Sequence, residues 1–79
     1  MERLALDSTT LRFVSYAPDY RLLTLEFHSG KVYEYLDVPT QIYQDLLQAD
    51  SKGLYFNLHI RNHFRTLEVR AVGAGLKSK

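Results

Sequence analysis

The chain has no cysteine, so neither disulfides nor thiolate-bound metal hold it together. It also lacks any run of about 18 apolar residues, and no segment reads as a bilayer-crossing helix. The opening stretch Met1–Asp7 is too short and too acidic for a signal peptide. These absences set the expectation of a cytoplasmic protein with no membrane partner. No internal repeat or linker-like stretch divides the chain, which excludes solenoid and multidomain organisation. Acidic residues are scarce in one region only: from Ser51 to Lys79 there is a single one, Glu68.

What is present is a small globular composition. Seventy-nine residues, 46% hydrophobic and 13% aromatic, make one domain that buries roughly 60% of its unfolded surface. Six tyrosines and four phenylalanines supply the large buried areas a small core needs. The expected domain is 1–79, with a core over about 8–72 and 73–79 as a fraying tail. The net charge of +1 conceals an asymmetry. Up to Asp50, four basic residues (Arg3, Arg12, Arg21, Lys31) face eight acidic ones; beyond it, six (Lys52, Arg61, Arg65, Arg70, Lys77, Lys79) face Glu68 alone. Either the two halves attract each other within one fold, or the basic third faces an anionic partner.

Leu11–Tyr16, Leu22–Phe27 and Lys31–Leu36 read as three strands joined by turns at Ala17–Tyr20 and at His28–Gly30. Met1–Ser8 reads as a loose lead-in. A three-residue loop ending in a left-handed Gly30 sets Tyr33 opposite Leu25 and Tyr35 opposite Leu23. It gathers Leu23, Leu25, Phe27, Tyr33 and Tyr35 on one face, whereas a two-residue loop would turn both tyrosines to water. The longer loop is favoured, and it makes the tyrosines mainly structural. Val38–Pro39 starts a helix with proline at its first position; Ile42, Tyr43, Leu46 and Leu47 form its apolar face. Ser51 can cap a second helix, and Gly53 allows close approach or relieves backbone strain. From Leu54 the pattern fits strand or helix. The spacing of Phe56, Ile60 and Phe64 favours helix, and it lines up Asn57, Arg61 and Arg65 as a polar stripe. Thr66–Val72 reads as a short final strand. The expected fold class is α+β: an antiparallel three-stranded meander against one or two helices, with a possible C-terminal strand.

The ordered set Leu23, Phe27, Gly30, then Tyr33-Glu34-Tyr35, Val38-Pro39, Ser51, Gly53, Tyr55-Phe56-Asn57 and Ile60-Arg61 resembles the KTSC domain. That family is named for the C-terminus of some lysyl-tRNA synthetases and also occurs as stand-alone small bacterial proteins. The resemblance covers roughly Ser8 to Phe64. It implies a small module without established chemistry, for which the synthetase context suggests RNA binding.

The candidate nucleic-acid contacts are Lys52, Tyr55, Asn57, Arg61 and Arg65, with Arg70 as a further phosphate contact. Guanidinium groups bind phosphate bidentately and a tyrosine can stack an unpaired base. Alternatively, Arg61 pairs with Glu34 or Asp50 and tethers helix to sheet. Gly30, Tyr33, Tyr35, Pro39, Ser51, Gly53, Phe56 and Ile60 read as structural, and Asn57 can also fix the helix start. His59 and His63, four apart, lack the further ligands of a zinc site. Ser29 and Ser51 lack a nucleophile-elbow context, and no carboxylate orients His28, His59 or His63. The expectation is therefore a non-catalytic, cofactor-free binding module for tRNA or single-stranded RNA. The alternative is a protein-interaction module, self-associating or an adaptor. A metal-free nuclease built from His63, Arg61 and Tyr55 ranks last.

Overall fold

Gly30 sets the register of the hairpin on either side of it. Its φ of 96° lies where side chains are disfavoured, and it ends a three-residue loop closed by Gly30 N–H to Phe27 C=O at 2.9 Å and Phe27 N–H to Lys31 C=O at 2.9 Å. The computed structural model describes residues 3–69. In it, β3 (Leu22–Phe27) and β4 (Val32–Tyr35) pair with Leu23 opposite Tyr35 and Leu25 opposite Tyr33, the register expected from the longer loop. A Cβ on Gly30 would meet nothing within 4 Å. Gly30→Ala should therefore cost only the conformational term, about 1–2 kcal/mol, as read from the urea midpoint. No measurable loss would mean that the turn relaxes to another geometry.

Among the described residues the sheet has five strands, where three and a possible C-terminal one were expected; all are antiparallel, in the order β1 (Leu4–Ala5), β2 (Leu11–Ala17), β3, β4, β5 (Thr66–Val69). β1 (Leu4–Ala5) lies within the expected lead-in, where two residues carry no readable pattern. β5 (Thr66–Val69) pairs with β4, from Val32–Val69 to Tyr35–Thr66, as the final strand read from sequence. The remainder of that strand and the tail fall outside the described residues. In β2 (Leu11–Ala17) the register shifts between Leu11 and Phe13. This bulge lets Leu11 and Val14, three apart, both reach the core and be fully buried.

One face of the sheet is covered by helices. α1 (Thr40–Gln48) begins one residue later than expected, with Pro39 as its extended N-cap. Leu46 is its buried contact, and Ile42, Tyr43 and Leu47 pack against the core. Tyr16 joins α1 to the sheet: its hydroxyl donates to the Val38 carbonyl at 2.6 Å, and its ring stacks on Tyr43 at 4.9 Å. α2 (Lys52–Tyr55) is capped by Ser51, whose Oγ accepts from Leu54 N–H at 3.2 Å, and continues into a π-helical turn over Phe56–Ile60. Gly53 permits the close approach read from sequence, since a Cβ there would stand 3.0 Å from Thr10 Oγ1. Among the described residues, no helix is long and apolar enough to cross a membrane.

Candidate binding groove

The π turn decides where the polar residues of this segment go. Arg61 N–H reaches back five residues to the Phe56 carbonyl at 2.8 Å, and Arg61 itself leaves helical geometry with ψ 127°. Asn62 follows at φ 65°, a left-handed conformation that asparagine tolerates better than most residues. The chain therefore swings away after Ile60. This corrects the expected helix through Phe64, and with it the stripe of Asn57, Arg61 and Arg65. Arg65 lies beyond the turn, its side chain exposed and its carbonyl accepting from Leu36 N–H at 2.9 Å.

Between the π turn and the β3–β4–β5 part of the sheet runs a groove of about 470 Å³. Its floor is aromatic: Phe27, Tyr33, Tyr35 and Phe56. These rings meet edge to face, Phe27 with Tyr33 at 5.7 Å, Phe27 with Phe56 at 5.3 Å, and Tyr35 with Phe56 at 5.9 Å. Asn57, Arg61 and Asn62 form the polar rim, and Thr10 and Thr66 complete the walls. Burial pushes the Tyr35 phenol up to about 12; the Tyr33 phenol adds to the rise and the Arg61 guanidinium opposes it. The mutual influence of these groups fits their shared place in one groove. Arg61 Nη1 donates to Asn57 Oδ1 at 3.5 Å, a long bond. Asn57 thus meets Arg61 and not a loop backbone, and the alternative pairing of Arg61 with Glu34 or Asp50 is not made. Among the described residues the one ion pair is Arg3 with Glu26, 2.9 Å apart on the opposite face.

The other candidate contacts lie elsewhere. Lys52 donates from Nζ to the Ala49 carbonyl at 2.9 Å and lines a separate polar hollow with Asp7 and Asp50, which Asn57 also borders. Tyr55 sits on the far side of the helix, its ring 4.5 Å from that of His59. Burial, and secondarily Asp45, raises its pKa. Tyr55 borders a shallow depression with Leu54 and Leu58, while Arg61 lines the groove. The nuclease constellation of His63, Arg61 and Tyr55 is not gathered in either. His59 lies within the π turn and His63 follows in the loop beyond it, so the helical spacing that would pair them is lost. Among the described residues, no group of three or more potential metal ligands occurs.

The groove also shows what a residue-by-residue reading of the sequence misses. Tyr33 and Tyr35 do face inward as structural residues, yet they also line the groove. Phe27, Asn62, Thr10 and Thr66 were not candidates. Asparagine tolerates the left-handed conformation found at Asn62, but the helical spacing on to Phe64 masks that hint in the sequence.

The family model of the KTSC domain matches residues 7–64. An uncharacterised protein of Stutzerimonas stutzeri is 44% identical over 66 residues, covering 82% of this chain and 93% of that protein. A lysine–tRNA ligase of Nostoc punctiforme is 41% identical over 59 residues, 75% of this chain but only 10% of the ligase. The crystal structure of a KTSC domain protein from Yersinia pestis superposes with a TM-score of 0.85 at 30% identity, covering 87% of this chain and 97% of that one.

Proposed function

The chain belongs to the KTSC domain family, and from that premise we propose that it is a small non-catalytic module that binds RNA in the aromatic groove. The observation that carries this reading is the juxtaposition of Arg61 and Asn57 with the part-exposed rings of Phe27 and Tyr33 in one open groove, backed by the buried rings of Tyr35 and Phe56. A guanidinium offers charge-assisted hydrogen bonds to phosphate, and aromatic rings accept bases by stacking whatever their sequence. The likeness to a stretch of lysine–tRNA ligases adds an RNA context. The non-catalytic part rests on the groove's chemistry. Among the described residues its lining has no carboxylate or imidazole, and a phenol with a pKa of about 12 stays protonated at neutral pH and is no general base there.

The test is binding of a mixed single-stranded RNA and of a tRNA at low and moderate salt. Arg61→Ala is expected to weaken binding about tenfold, in line with the loss of one charge-assisted contact. Arg65→Ala, outside the groove, is expected to change it less than about threefold. No binding even at low salt would move the reading to a protein-interaction module. One observation favours that second reading: Leu54 and Leu58, 56% and 58% exposed and one helical turn apart, form an apolar ridge beside Tyr55.

A further inference from the structure

The chemistry of the groove narrows the ligand beyond RNA in general. Its one formal charge is the Arg61 guanidinium, and no carboxylate lines it among the described residues. The nearest acid by register is Glu68, cross-strand from Tyr33 and outside the lining. An anionic group is therefore favoured, and one only. Tyr35 and Phe56 are nearly buried and back the floor, while Phe27 and Tyr33 are part-exposed and present ring surface to the groove, which suits a flat, polarizable ligand better than a branched aliphatic one. The rim amides of Asn57 and Asn62 each offer both donors and an acceptor, as the edge of a heterocycle demands. A groove of about 470 Å³ is at the small end of ligand sites and suits one such unit. Lys52 and Arg65, the other basic candidates among the described residues, do not line it.

We infer that the groove holds a single unpaired nucleotide: its base lies on the aromatic floor, Asn57 and Asn62 meet the base edge, and Arg61 takes the adjoining phosphate. This rests on the RNA reading above and makes it specific. A base paired within a duplex cannot enter, because its edge is occupied and its faces are stacked. The affinity comes mainly from the base and only weakly from charge.

Three RNAs of one backbone length separate these statements: a short single strand, the same strand with abasic residues, and the strand annealed to its complement. Each is titrated into the intact protein, with anisotropy for affinity and NMR for the Asn57 and Asn62 side-chain amides. The abasic strand is expected to bind about tenfold or more weakly, because stacking is lost. The duplex is expected not to compete, and the amide signals move only with the intact strand. One phosphate contact predicts a loss of only about threefold between ~50 and ~200 mM salt, against about twentyfold for three contacts through Lys52, Arg61 and Arg65. Equal binding of all three RNAs with the steeper salt dependence overturns the single-nucleotide site and leaves RNA binding standing. Absence of binding to any of them overturns both. The RNA comparison uses unaltered protein, so no result depends on whether a variant folds.

Discussion

Phe56→Ala is expected to remove about 3–5 kcal/mol of folding stability, the range for truncating a buried aromatic. Phe56 is 7% exposed and meets Phe27 and Tyr35 edge to face. It is thus the point at which the π turn is bolted to the sheet. Alanine would leave a void between two elements that neither can close without dragging Arg61 and Asn62 along. A chain of 79 residues has a total stability of only about 4–12 kcal/mol, so the variant should sit near its unfolding transition. Urea unfolding checks this, with a large fall in midpoint at unchanged slope. A loss under about 1 kcal/mol, the scale of a routine substitution, would show that Phe56 is not a core wedge. Phe56→Leu keeps much of the volume and is expected to cost under about 1.5 kcal/mol, while still removing one ring from the groove floor. Comparing the two separates what the ring does for folding from what it offers a ligand.

The second large effect is alkaline. The Tyr35 phenol, pushed up to about 12 by burial and by Tyr33, ionises near 10 in an unfolded chain. Between these values the unfolded chain gives up the proton while the folded one keeps it. The stabilisation is complete below pH ~10 and is lost as pH rises towards the folded value, by about 2–3 kcal/mol in all. Tyr55 shifts in the same direction, so some loss should persist without Tyr35. Urea midpoints across this window are expected to fall steeply in the native protein and less in Tyr35→Phe, with absorbance of tyrosinate reporting one late-titrating phenol fewer in the variant. An identical fall in both proteins would place the alkaline sensitivity elsewhere.

Both predictions concern residues whose structural role was legible and whose shared groove was not. The register of Tyr33 and Tyr35 could be read because Gly30 fixes the loop length and one slip would turn Leu23 and Leu25 to water. The buried face of α1 could be read because Ile42, Tyr43, Leu46 and Leu47 recur at helical spacing. β1 was invisible, since its two residues become a strand only through pairing with Phe13 and Val14. The π turn was invisible for another reason. Phe56, Ile60 and Phe64 have equally good α-helical spacing, and the bond from Arg61 back to Phe56 is a choice of backbone geometry that no residue type announces. That choice breaks the expected basic stripe, strands Arg65, and turns Arg61 and Asn62 onto the groove rim. The α+β class and the final strand were legible, the latter because Leu67 and Val69 alternate with Glu68, so the strand count fell short only by β1.

The sequential strand order has a consequence for the timing of folding. β2, β3 and β4 are joined by short turns and can zip up through local contacts, the cheap and fast route. β5 can pair with β4 only after the whole excursion through α1 and α2, from Tyr35 to Thr66, has been brought back. All four of its residues remain exposed, so little burial repays the largest loop closure in the sheet. In native-state hydrogen exchange β5 should therefore be the first of the two long-range partners to let go, ahead of β4. Thr66 is one wall of the groove, so the groove is finished only in that last step. A ligand seated in it would act as the clasp on the longest loop in the sheet, slowing the release of the strand that completes its own site.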